Sequence, residues 1–149
     1  MSGMFDGSQF NGDISNWDVS NVTTMGSMFR DSPFNGDISN WDVSSVTSMN
    51  EMFSGLFVST RNPFNGDISN WDVSNVTRMT SMFRFSQFNG DISNWDVSSV
   101  FDMRNMFDDS QFNQDISNWD VSNVTECNEF SINSPQWTLP KPNFTNCNP

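Results

Sequence analysis

Apolar residues return at a fixed interval along this chain. Counting each unit from the Phe of "FNGDISNWDVS", the apolar positions are 1, 5, 8, 10, 13, 16, 19 and 20. In the first unit they are Phe10, Ile14, Trp17, Val19, Val22, Met25, Met28 and Phe29. Units start at Phe10, Phe34, Phe64, Phe88 and Phe112, giving a period of 24 residues with one interval of 30. A period of this size marks a repeat architecture. The alternation in "WDV" predicts a short strand with Trp17 and Val19 inward and Asp18 outward. The steps of three in "VTTMGSMF" predict a tight helical turn on the return side.

The same register divides the chain into a partial N-terminal coil over 1–9, five coils over 10–130 with an insertion at 54–63, and a C-terminal cap over 131–149. One coil buries too little to offset the entropy of ordering its residues. Each copy is therefore expected to serve as core for the copies beside it. Trp137 and Phe144 are placed to cover the last coil.

The spacing in "ISNWDV", apolar-x-x-apolar-x-apolar, is similar to the Leu-x-x-Leu-x-Leu core of leucine-rich repeats. The run "FNGDISNWDVSNVTTMGSMF" resembles the BspA-like leucine-rich-repeat unit of bacterial surface proteins and lipoproteins, and the resemblance covers residues 4 to about 130. It implies an adhesin or ligand-binding surface module, and it brings no catalytic residues. The expected fold is a right-handed, leucine-rich-repeat-like β-solenoid with one short parallel strand and one short helical turn per coil.

Composition narrows the function. Six basic residues against 18 acidic ones give a net charge of −12. Phosphate binding needs clustered Lys and Arg, so nucleic acid and anionic membrane surfaces are not expected partners. No stretch of 18 apolar residues occurs, and the first residues lack a basic region followed by an apolar one. Because "MFDGSQ" matches "MFRDSP", the chain reads as a mature piece or a domain cut from something longer.

Positions 4 to 11 are identical in all five copies. A catalytic site needs one arrangement rather than five, and with no His and a single Lys the usual proton-transfer groups are scarce. The pair Asp13 and Asp18 is therefore framework rather than a glycosidase pair, and no enzyme is expected. The Asp row at Asp18, Asp42, Asp72, Asp96 and Asp120 stacks like charges, which hydrogen bonds from Ser20, Asn21 and their equivalents offset in one reading and bridging calcium in the other.

Recognition belongs to the positions that differ between copies. Arg78, Arg84 and Arg104, with Thr80 and Asp102, flank the Met and Phe slots and are expected to face outward as a modest positive patch. The insertion supplies Leu56, Phe57 and Val58. These either pack on Phe85 or form an apolar partner site. Cys127 and Cys147 either form one disulfide, which would imply an oxidising compartment, or stay as two free thiols. Asn-x-Thr triplets at Asn21, Asn75, Asn123 and Asn143 accept glycans only in a eukaryotic secretory route.

The expected protein is a non-enzymatic cell-surface or secreted module that binds a protein or glycan ligand and does not insert into membranes. The competing expectation is a structural subunit that self-associates head-to-tail into a fibre.

Overall fold

The computed structural model describes all residues from Met1 to Pro149. Its regular feature is a stack of layers in which equivalent residues of successive repeats lie over one another. A regular backbone ladder joins the layers on the return side. In the first full layer the amides of Met25, Ser27, Phe29 and Asp31 donate to the carbonyls of Ser48, Asn50, Met52 and Ser54 respectively, at 2.8–3.0 Å. The same pattern runs from Met49 to Arg78, from Met79 to Asp102 and from Met103 to Glu126.

Neither predicted element forms, and the leucine-rich-repeat-like β-solenoid with a strand and a helical turn per coil is corrected accordingly. There is no helix and no strand longer than a single bridged residue. The "WDV" segment does not extend, because it lies between two tight turns: Trp17 N donates to Ile14 O at 3.1 Å and Val22 N to Val19 O at 2.8 Å. Asp side chains fix both turns by accepting from the amide two residues on, Ser15 N to Asp13 and Ser20 N to Asp18. This Asx geometry offers the backbone an alternative to a sheet ladder.

Parallel pairing appears instead as isolated bridges along Thr24, Ser48, Arg78, Asp102 and Glu126. These are variable positions that the hydrophobic pattern does not single out.

The Met-x-x-Met-Phe segment fails as a helix for a different reason. Its third residue adopts a left-handed backbone in every layer: φ is 53° at Ser27, 57° at Glu51, 54° at Ser81, 55° at Asn105 and 60° at Glu129. A left-handed residue inside a right-handed helix breaks its hydrogen-bond register. The result is a chain of tight turns, with Met28 N on Met25 O and Arg30 N on Ser27 O, whose remaining amides point at the next layer.

The core is continuous through the stack, with 37 buried apolar residues in one cluster. Two Phe rows interleave. Phe29 lies 4.2 Å from Phe34 and 5.7 Å from Phe53, and Phe53 lies 4.0 Å from Phe64 and 5.8 Å from Phe83, all with nearly parallel rings. The Trp row is tied to the layer before it: the indole Nε1 of Trp41, Trp71, Trp95 and Trp119 donates to Ile14, Ile38, Ile68 and Ile92 O at 3.0–3.1 Å. Trp17 departs from the expected inward row, since it lies in the first full layer with no such partner and is 40% exposed. Asn35, Asn65, Asn89 and Asn113 form a parallel seam, each amide donating to the side-chain oxygen of the Asn one layer earlier.

At the C-terminal end the parallel ring stacking stops. Trp137 meets Phe107 and Phe112 edge-on, at 77° and 80° between planes, and Phe144 meets Phe130 at 67°. The following segment satisfies the groups that another layer would have used. Trp137 Nε1 donates to Gln114 O, Thr138 N to Asn113 Oδ1, Ile116 N to Pro140 O and Asn146 Nδ2 to Ser122 O. A disulfide between Cys127 and Cys147 closes this segment.

Candidate functional site

The invariant carboxylates are held for structural work. Each of the ten Asp residues in the Asp-x-Ser pairs accepts from the Ser amide two residues on. Several also accept from the Ser hydroxyl, at 2.6 Å for Asp18, Asp42, Asp72 and Asp96. These bonds from Ser20, Ser44 and Ser98 hold the carboxyls of Asp18, Asp42 and Asp96 below the ordinary carboxylate range.

No group of three acidic side chains converges. Calcium takes six to eight oxygens, whereas here one oxygen of each carboxylate is already committed to its own turn.

The Arg residues of the variable face turn out to be paired individually. Arg104 grips Asp102 through Nε and Nη2 at 3.0 and 2.7 Å. Asp102 is itself buried, although its position predicts an outward side chain. Burial pushes its carboxyl up, and the Arg104 side chain and amide outweigh that, leaving it below the ordinary range. Arg84 pairs with buried Asp108 at 2.9 Å, and its guanidinium lies 4.5 Å from the Phe85 ring centre.

Arg78 differs. It is exposed, makes no ion pair, and stacks 5.0 Å over the ring of Phe101, the residue that replaces Thr in that row. Thr80 lies beside it, half-buried, with its amide on Asn50 Oδ1.

The insertion forms a small hairpin with an antiparallel bridge between Phe57 and Thr60. It is anchored where Asn62 pairs with Ser86 and where Gly55 packs so tightly that a Cβ there would lie 2.6 Å from Phe85 O. Leu56, Phe57 and Val58 sit at its tip, exposed by 44, 62 and 52%. Phe57 makes no ring contact with Phe85, whose face is occupied by Arg84. Phe85 holds a left-handed backbone, with φ of 48°.

Of the Asn-x-Thr positions, Asn21 and Asn143 are exposed, while Asn75 and Asn123 also turn their side-chain amides onto Ser44 O and Ser98 O. The hairpin's inner side, with the layers before it, borders an open cleft of about 350 Å³ whose lining includes Gln9, Asp31, Thr60 and Arg61. None of these stands out in the hydrophobic pattern. The signal available was an Arg in a segment that occurs only once.

Two overlapping stretches, residues 1–60 and 54–144, match the family described as Mycoplasma protein of unknown function, DUF285. The chain belongs to the DUF285 family. Between them the two matches take in all five layers, overlap within the insertion at 54–60 and stop five residues short of the C-terminus. The features that set this DUF285 chain's layers apart from one another are Arg78 on Phe101, the hairpin and the open cleft beside it. No curated protein and no solved structure matches the chain.

Proposed function

We propose that this protein is a non-enzymatic, cell-surface or secreted binding module of the BspA-like kind, which engages a protein or glycan ligand through side chains that differ between otherwise identical layers. The observation that carries this reading is the division of labour in the stack. Repeated polar groups are consumed by the framework, as in the Asp-Ser turns and the Asn seam, whereas Arg78 stands exposed without an acidic partner. An Arg stacked on an aromatic ring is a preorganised contact for a carboxylate or an oxygen-rich ligand. The disulfide supports an extracytoplasmic setting, because such bonds persist in oxidising compartments.

A glycan and protein binding array tests the reading, repeated with Arg78→Ser and with Arg104→Ser. Loss on Arg78→Ser with retention on Arg104→Ser supports the exposed face, because Arg104 is already paired with Asp102. Unchanged binding in both variants removes that face as the ligand site.

The competing reading, a fibre subunit, draws support from Trp17 and Met4, which are exposed at the first layer. It needs a complementary free face at the other end, and there the segment after Phe130 already occupies the groups of the last layer. Light scattering over a concentration series separates the two, since a fibre subunit grows with concentration.

A further inference from the structure

We propose that Asn89 and Gly90 form a self-modifying site, in which the Asn89 side-chain amide converts to a carboxylate through a cyclic imide while Gln114 of the next layer assists ring closure. The reaction uses only this chain and water. The Gly90 nitrogen bonds to Asn89 Cγ and loses its proton, and Nδ2 takes up a proton and leaves as ammonia. Water then adds to one of the two imide carbonyls. Opening at Cγ leaves aspartate, and opening at the main-chain carbonyl leaves isoaspartate.

Gly after Asn leaves the attacking nitrogen unhindered by a side chain. This pairing occurs at Asn11, Asn35, Asn65 and Asn89, and the stack requires both partners. The Asn side-chain oxygens carry the seam between layers. A Cβ on Gly12, Gly36, Gly66 or Gly90 would lie 2.9–3.1 Å from the ring of Phe10, Phe34, Phe64 or Phe88. The Asn of each pair is exposed, and no Gly amide of a pair donates a hydrogen bond within the protein. The nucleophile is therefore free in every pair.

Gln114 sets Asn89 apart. The fifth copy has Gln where the others have Gly, and its side chain reaches back one layer. Gln114 Nε2 donates to the main-chain oxygen of Asn89 at 3.0 Å and to its Oδ1 at 3.3 Å, and Asn113 N donates to the same Oδ1 at 2.7 Å. Both oxygens only accept, so the nitrogen of the Gln amide must face them. These contacts fall where charge develops. When Gly90 N gives up its proton, negative charge spreads onto Asn89 O, which faces Gln114. When that nitrogen adds to Cγ, the charge passes to Oδ1, which faces Gln114 and Asn113. Donors placed in advance at such oxygens lower the barrier.

The other pairs have less assistance. Oδ1 of Asn11, Asn35 and Asn65 accepts one seam amide each, at 3.2, 2.9 and 2.8 Å, and their main-chain oxygens accept nothing. Asn113 Oδ1 accepts from Thr138 N and Leu139 N, but Asn113 precedes Gln rather than Gly. The local sequence Phe-Asn-Gly-Asp-Ile-Ser is the same at all four pairs, so the acidic neighbour and intrinsic reactivity cancel between them. Aspartate at position 89 still offers an oxygen to Asn113 N. Isoaspartate inserts a methylene into the main chain and shifts Phe88 against Phe83 and Phe112, now 4.3 and 6.2 Å away.

Peptide mapping by mass spectrometry tests the proposal after incubation of the intact chain in mildly alkaline buffer. Cleavage after Arg30, Arg61, Arg78 and Arg104 puts the Asn-Gly pairs on separate peptides. Each folded-state rate is divided by the rate of the same pair in urea. On that scale Asn89 is expected to lead Asn65 by roughly three- to tenfold, the worth of one ordinary hydrogen bond. Gln114→Leu and Gln114→Glu both remove the donor, and each is expected to bring Asn89 down to the rate of Asn65 and leave the other pairs unchanged. Thermal melts establish that the variants fold, and Gln114→Glu decides if Gln114→Leu does not. The proposal is overturned if Asn89 stays an amide in the folded chain, if it reacts no faster than Asn65, or if its lead survives loss of the Gln114 donor.

Discussion

The indole Nε1 of Trp71 donates to the carbonyl oxygen of Ile38, 3.1 Å away in the preceding layer. Both groups are buried, so the bond joins two layers at a point water does not reach. Trp71→Phe removes this bond and part of the buried ring, while the Ile38 carbonyl keeps the Trp41 amide that it also accepts. The lost hydrogen bond alone is worth about 0.5–1.5 kcal/mol, and denaturant unfolding should show at least that loss. Trp17→Phe, in the layer where the indole has no such partner, should change stability by less than about 0.5 kcal/mol.

Acid should loosen the stack through the Asp-Ser turns. Asp13, Asp37, Asp67 and Asp91 are held below the ordinary carboxylate range by the Ser amide and hydroxyl that donate to them. A folded-state value below the unfolded one adds stability that is complete above the unfolded value of about 3.9. That stability disappears as pH falls through the lower folded-state values. Stability to urea should therefore be flat from neutrality to about pH 5 and decline below it. Changing Ser39, Ser69 and Ser93 together to Ala, which removes the hydroxyl donors, should make that decline shallower.

Chelation should change nothing. The Asp row offers no converging set of three acidic groups, so the melting temperature with a calcium chelator should equal that with added calcium. A chelator-dependent drop would restore the calcium bridge.

Reduction of the disulfide should act mainly on the last layers. Cys127 and Cys147 close a loop with a sequence separation of 20. In the loop-entropy account a loop of that size contributes roughly 3 kcal/mol. Cys127→Ser with Cys147→Ser should lower stability by about that amount, and hydrogen exchange should rise first near Phe130 and Trp137.

Ser81 holds φ at 54° and makes no side-chain hydrogen bond. Left-handed backbone costs an ordinary residue about 1–2 kcal/mol, which Gly avoids while losing some of that gain to a freer unfolded chain. Ser81→Gly should stabilise by about 0.5–1 kcal/mol. At the insertion the sign reverses: Gly55→Ala places a Cβ 2.6 Å from Phe85 O and should destabilise by about 1–3 kcal/mol.

Much of the packing was legible in the spacing of apolar residues. The Phe, Met and Ile positions read from the period are the buried ones from the second layer onward, and the cysteines do join. Secondary structure was not legible. Trp17, Asp18 and Val19 alternate as a strand would, but the two Asp-x-Ser turns around them draw the backbone into bends. The Met25 to Phe29 spacing suits a helix, yet the signal against one is a conformation at Ser27, a residue whose type does not announce left-handed backbone. The free donor of Arg61 was also hidden, because its burial depends on how the hairpin folds back rather than on any repeat position.

The bonding between layers has a sense of direction. From Met25 to Asp31 and their equivalents, amides of an earlier layer point to carbonyls of the later one, as from Phe53 to Met82, while amides such as Thr47 on Thr23 O, the indoles and the Asn seam point the opposite way. Each interior layer therefore both gives and receives bonds with its neighbours, so excising one layer would strand donors and acceptors together on the two faces left behind.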